Sequence, residues 1–172
     1  MLSTGDTEKQ ATLRDKAIRK SKKARTNRYI SSIGTFLKPG MKLLDVGCGT
    51  AHIIQELAKS KNSEFIGLDL SAAMLKIARS NTGSLQNVSL VRADGYRLPF
   101  SDRSLDIVIN RLAEYSAEEV CRILKTGGFF LEYGLGPDAS REIAEFFQER
   151  IERRDKNEHL MYRMNLGASF CF

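Results

Sequence analysis

From Lys42 onward the chain alternates short apolar runs with stretches of helical periodicity, and this alternation limits the possible folds more than any other feature. Lys42 to Val46 reads as a strand, and Ile53, Ile54, Leu57 and Ala58 then recur on one helical face. Glu64 to Leu68 reads as a second strand, followed by a Ser71 cap and the helical set Met74, Ile77 and Ala78. Val88 to Arg92 and Leu105 to Ile109 supply strands three and four. Ser116 and Glu119, in capping-box spacing, lead into Val120, Ile123 and Leu124. Phe129 to Tyr133 gives strand five, and a final helix capped near Asp138 presents Ile143, Phe146, Phe147 and Ile151 on one side. Repeated strand-helix units of this kind bury their apolar faces as an α/β, doubly wound, mostly parallel sheet covered by helices.

Ahead of this pattern, Tyr29, Ile30, Ile33, Phe36 and Leu37 form a short amphipathic helix stopped by Lys38-Pro39-Gly40. Pro39, Pro99 and Pro137 all fall between apolar runs, and no repeat or Gly/Ser linker interrupts the chain. The expected organisation is one domain over residues 29–172, preceded by a basic arm or helix over residues 1–28. A chain of 172 residues with 42% hydrophobic and 28% charged side chains suits a single globular domain. The net charge of +6 is unevenly placed: residues 1–40 hold ten Lys or Arg against three acids, and the rest holds seventeen against eighteen. The run Arg14, Lys16, Arg19, Lys20, Lys22, Lys23, Arg25 and Arg28 is read as a solvated helix or frayed arm, with an anionic partner such as RNA as its functional alternative. Cys48, Cys121 and Cys171 show neither CxxC spacing nor paired histidines, so no disulfide framework and no metal site is expected, and reduced thiols in a cytoplasmic protein fit best. Met1 to Gln10 contain no apolar signal core, and no later stretch approaches the ~18 apolar residues of a membrane span, so no membrane association is expected.

Strand one ends Leu43-Leu44-Asp45-Val46-Gly47-Cys48-Gly49-Thr50-Ala51 and runs straight into a helix, where glycines let backbone approach a ligand. A dinucleotide fingerprint would place a third glycine at position 52, but His52 stands there. Asp45 just before the turn would repel a pyrophosphate and attract an ammonium or sulfonium group. Asp69 closes strand two in Phe65-Ile66-Gly67-Leu68-Asp69-Leu70-Ser71, where a carboxylate can accept both hydroxyl protons of a ribose. A nucleoside bearing positive charge and no phosphate describes S-adenosylmethionine. Gly47 and Gly49 as a simple tight turn, Asp69 as a helix cap, and Asp94 as the centre of an Asx turn are the structural alternatives. His52 and His159 lack catalytic partners in the sequence, and Cys48 is read as merely small.

Taken in order, Leu43 to Ala51, Phe65 to Ser71, Arg92-Ala93-Asp94-Gly95 and Leu124-Lys125-Thr126-Gly127-Gly128 resemble the successive motifs of class I S-adenosylmethionine-dependent methyltransferases, over residues 29–135. The resemblance implies the Rossmann-like methyltransferase fold and S-adenosylmethionine as cofactor. It further implies that Gly47 and Gly49 face the methionine part, that Asp45 lies near the ammonium, and that Asp69 binds the ribose. Leu70 would contact the adenine face, Asp94 the adenine amine, and Asn110 would lie close to the methionine end. Ala51 replaces a common family glycine, a change expected to be tolerated if the ligand passes over Gly49. The family continues past strand five into an antiparallel strand pair, whereas Met164 to Phe172 leaves room for one strand at most. A shortened domain, or one that completes its sheet with a partner, is therefore expected.

Methyl transfer from a sulfonium is an in-line displacement, so the protein chiefly aligns acceptor and methyl carbon in a dry site. Glu114 and Tyr115, after strand four, are candidate acceptor-side groups, with loop solvation and helix packing as their alternatives; no catalytic residue is assigned. Strand four is followed by neither Asn-Pro-Pro-Tyr nor Asp-Pro-Pro-Tyr, and no Pro-Cys dipeptide occurs, which disfavours nucleic-acid base methylation. The leading expectation is a methyltransferase for a small organic acceptor. An RNA or protein methyltransferase using the basic arm, a non-catalytic S-adenosylmethionine-binding module, and a nicotinamide-dependent oxidoreductase on a similar sheet are the alternatives.

Overall fold

The computed structural model describes residues 8–20, 23–59, 62–133 and 161–165, with 18–20, 23–25 and 161–165 through their backbone alone. Two helices, α1 (Glu8–Lys20) and α2 (Lys23–Phe36), precede β1 (Lys42–Val46), α3 (His52–Ala58), β2 (Glu64–Asp69), α4 (Ala72–Thr82) and β3 (Val88–Arg92). Then come β4 (Leu105–Arg111), α5 (Ala117–Ile123), β5 (Leu124–Tyr133) and β6 (Met161–Asn165). The strands form one sheet in the order β3-β2-β1-β4-β5-β6. The first five are parallel, and β6 runs antiparallel to β5.

Alternation along the central strands sends side chains to two cores. Leu43, Ile107, Ile109 and Leu131 meet Tyr29, Ile33, Ile54 and Leu57 on the α2 and α3 side. Leu44, Val108 and Phe130 meet Val120 and Ile123 of α5 on the other. This double winding opens the carboxyl edge of β1, β2 and β4, where loops emerge between helices that cover opposite faces.

Local signals account for most boundaries. Ser71 caps α4 by accepting the Met74 N–H at 3.3 Å, and Ser116 caps α5 by accepting that of Glu119 at 3.3 Å. The Glu119 half of the expected capping box is used elsewhere: its carboxylate accepts the Leu98 N–H at 2.7 Å and pairs with Arg122. Strand five starts at Leu124 rather than Phe129, and α5 passes into it without a loop. Leu124 pairs with Leu105 and Phe129 with Ile107, so two steps on β4 face five on β5, and Lys125 to Gly128 form the irregularity. Of the antiparallel strand pair, reduced in the sequence to one strand at most, the described residues hold the single strand β6, which begins three residues before Met164. The helix expected after Asp138 lies outside the described residues.

Among the described residues of the N-terminal charge run, Arg14, Lys16, Arg19 and Lys20 lie on α1 and Lys23, Arg25 and Arg28 on α2. Helix α1 docks on α4 through fully buried Ala11 and the Glu8–Lys76 ion pair at 2.7 Å, while α2 runs without a break through residue 28. Cys48 is a free buried thiol, but Cys121 is disulfide-bonded, which corrects the expectation of uniformly reduced cysteines. Among the described residues no helix is long and apolar enough to cross a membrane, and no cluster of metal-ligating side chains occurs.

Candidate functional site

The turn after β1 is drawn over the tip of β2 by two backbone bonds, as the N–H groups of Gly47 and Cys48 both donate to the Leu68 carbonyl at 2.8 and 2.9 Å. Gly47 is left-handed at φ +74°, and a Cβ there would overlap the methyl of Ala113. A side chain at Gly95 would likewise overlap the Glu114 carbonyl oxygen. The segment after β4 is therefore wedged between the glycine turn and the loop after β3, which only glycines at these two contacts permit. Gly49 differs: nothing lies within 4 Å of where its Cβ would be, so open space adjoins its Cα. Ala51, in the position of a family glycine, is buried and takes φ 57°, accepting the left-handed backbone that glycine would adopt freely.

Asp69 anchors this turn. Its Oδ2 accepts the Gly49 N–H and its Oδ1 the Ser71 N–H, each at 2.8 Å. A carboxylate oxygen has two lone pairs, so each still has acceptor capacity for a hydroxyl. Asp45, on the neighbouring strand, is 3% exposed. Burial pushes its pKa from 3.8 up to about 7, opposed by the Arg111 guanidinium and reinforced by the Asp69 charge. The two acids thus lie at one edge and within each other's field, as a pocket for a cation requires. The buried Thr50 hydroxyl, next to Gly49, has no hydrogen-bond partner among the described residues. Open space at Gly49, a buried carboxylate and an orphaned hydroxyl together fit a cationic nucleoside ligand.

The other expected contacts divide. Leu70 follows Asp69 and is partly exposed at the rim. Asp94 Oδ1 accepts the Tyr96 N–H at 2.9 Å, so the Asx turn forms at this partly exposed residue. Asn110 is fully buried, and its amide is occupied by the fold: Nδ2 donates to the carbonyls of Val46 at 3.3 Å and Ala113 at 3.1 Å, while Oδ1 accepts the Ala113 N–H at 3.3 Å. It lies beneath the turn and holds Ala113 against Gly47. Glu114 is exposed, whereas the Tyr115 ring packs on Phe130 at 5.3 Å and its hydroxyl bonds to buried Glu132. Burial first, then the Glu132 charge, raises the Tyr115 pKa far above its ordinary value.

Two groups near Asp45 were not singled out from sequence. Arg111 became visible only when β4 proved longer than its apolar run. Tyr29 reaches from α2 to donate to the carbonyls of Asn110 at 3.1 Å and Leu131 at 3.2 Å, tying the helix to two strand tips. Its apolar spacing marked only a helix face.

Residues 43–128, half of the chain, match the family described as methyltransferase domain. The chain belongs to that family. The match covers β1 through the irregular start of β5, so the acidic edge and glycine turn lie within it while α1 and α2 lie outside. The demethylmenaquinone methyltransferase of Staphylococcus aureus is 39% identical over 101 residues, 54% of this chain and 42% of that protein; the chain thus spans less than half the length of this relative. A Methanococcus maripaludis protein, provisionally assigned as an S-adenosyl-L-methionine-dependent methyltransferase, superposes with TM-score 0.75 over 98% of each chain at 20% identity. A methyltransferase from Thiobacillus denitrificans, solved with S-adenosyl-L-homocysteine, superposes with TM-score 0.52 at 21% identity over 62% of this chain and 48% of that one. At these identities the structural likenesses speak for the fold.

Proposed function

We propose that the protein is an S-adenosylmethionine-dependent methyltransferase for a small, apolar acceptor. The observation that carries this reading is the buried Asp45 carboxylate beside Asp69 at the glycine turn, an edge that favours a positively charged nucleoside and repels phosphate. When bound, S-adenosylmethionine supplies an electrophilic methyl group on a sulfonium. Asp45 would face the ammonium, Gly47 and Gly49 would admit the methionine part, and Asp69 would take the ribose hydroxyls on its remaining lone pairs. Leu70 would lie on the adenine face and Asp94 near its amine. Asn110 serves the methionine end indirectly, by keeping Ala113 and Gly47 in register.

The acceptor side is read from the segment after β4. Leu112 is 56% exposed and holds φ 61°, while Tyr96 is 53% exposed. A bulky apolar side chain kept left-handed and in water is strained for the fold's own purposes, which supports a contact with an apolar acceptor. That the S. aureus relative is named for demethylmenaquinone, a small molecule, supports the same class. Calorimetric titration with S-adenosylmethionine and separately with NAD tests the reading. Heat with the first and none with the second is expected, and NAD binding without S-adenosylmethionine binding would refute it. Incubation with methyl-labelled cofactor and a fractionated extract then assigns the acceptor class, label in the small-molecule fraction being expected.

A further inference from the structure

Outside the family match, α1 makes a connection that neither the methyltransferase reading nor the pocket explains. Asn81 lies in the last turn of α4, and its side-chain Nδ2 has two hydrogens. One contact reaches the Thr50 carbonyl at 2.9 Å, inside the glycine turn; another reaches Asp15 Oδ1 of α1 at 3.4 Å. The Asn81 backbone carbonyl also accepts Gln55 Nε2 of α3 at 2.7 Å. One residue thereby touches the docked N-terminal helix, the turn that holds the cofactor in the proposed function, and the helix after that turn. The turn has need of such a brace. Its residue 51 is a non-glycine at positive φ with no side-chain cap for α3, so backbone preference alone does not hold it.

We propose that Asn81 is a positioning residue for the glycine turn, and that docking of α1 on α4 sets cofactor affinity through it. With α1 seated, Asp15 orients the Asn81 amide so that its other hydrogen meets Thr50. With α1 displaced, the amide loses the Asp15 contact that orients it, its bond to Thr50 weakens, and the turn samples conformations that do not accept ligand. The structural part stands on the hydrogen bonds alone; the cofactor part rests on the methyltransferase reading.

Three full-length variants test it: Asn81→Asp, which keeps the shape and removes both donors; Ala11→Asp, which places a charge in the buried α1–α4 contact; and the two combined. Amide hydrogen exchange over residues 8–17 and 47–51 is read without ligand, and S-adenosylmethionine affinity by calorimetry. Each single variant is expected to speed exchange at 47–51 and to weaken affinity about five- to tenfold, the scale of one or two net hydrogen bonds. The combined variant should be no weaker than Asn81→Asp alone, because both act through one amide. Exchange across β1 and β4 verifies that each variant is folded, and Asp15→Ala replaces Ala11→Asp if that variant is not. Multiplied effects in the combined variant, or an undocked α1 with unchanged exchange at 47–51, would overturn the proposal. If the wild-type chain binds no S-adenosylmethionine, the methyltransferase reading fails, while the exchange measurements still decide whether Asn81 couples α1 to the turn.

Discussion

Replacing Asp45 by asparagine separates what this residue costs the fold from what it offers the ligand. Its pKa rises from 3.8 to about 7 because burial disfavours the charge more than Arg111 favours it. A raised native pKa means that between these values the native state holds a proton that the unfolded state has lost. Stability from this group is therefore greatest at low pH and falls as pH climbs towards 7. The whole shift corresponds to roughly 4 kcal/mol, and about two units of it, near 3 kcal/mol, falls between pH 5 and 8. With 3% exposure, little solvent screening reduces that figure. Urea denaturation of both forms at pH 5, 6.5 and 8 gives the stability of Asp45→Asn relative to the native protein, and the difference cancels the titration of every other group. The variant should gain about 3 kcal/mol on the native protein from pH 5 to pH 8, and a difference that stays flat over this range would refute the reasoning. A cation bound beside Asp45 stabilises the ionised form, so affinity of the native protein for S-adenosylmethionine should strengthen up to pH 7 and level above it. The variant should bind weakly, with no such pH dependence. Stability gained with binding lost is the signature of a group kept for function.

Asp69→Ala should weaken S-adenosylmethionine binding by about 1.5–3 kcal/mol in calorimetry and also lower stability in denaturant, because the Gly49 and Ser71 N–H groups lose their acceptor. Gly47→Ala and Gly49→Ala should part company: the first meets Ala113 and should lower the melting temperature strongly, whereas the second enters open space and should cost only about 1–2 kcal/mol of left-handed strain while blocking the cofactor. Leu112→Gly should raise stability by about 1 kcal/mol in urea by relieving a positive φ at an exposed site, and should lower turnover of an apolar acceptor.

Much of the architecture could be read from local pattern. Strands β1 and β3 occupy Lys42–Val46 and Val88–Arg92 as expected, since a buried run that stops against glycine or polar residues leaves little freedom in its ends. Strand β5 was misread at its start because Val120, Ile123 and Leu124 continue one apolar pattern across a change of secondary structure, and a short apolar run does not reveal its period. Thr126-Gly127-Gly128 carries the chemistry of a turn and is spent on a bulge within the strand, with Gly127 at φ +77°.

The site divides along a related line. That Asp45 and Asp69 share one edge could be read from sequence because a parallel sheet puts neighbouring strand ends together whatever the surrounding detail. The backbone bonds that Asn110 and Asn81 make could not. An asparagine at a strand tip is equally suited to a ligand or to backbone, and an asparagine in a helix carries no local signal of a partner 31 residues away in a turn and another 66 residues away in α1. Both residues bond to backbone at the glycine turn or in the segments packed against it, so their spacing in sequence follows the packing of elements rather than the chemistry of a ligand. Substitution at these two positions should therefore change how well the pocket is formed before it changes what the pocket prefers, whereas substitution at Asp45 should do the reverse.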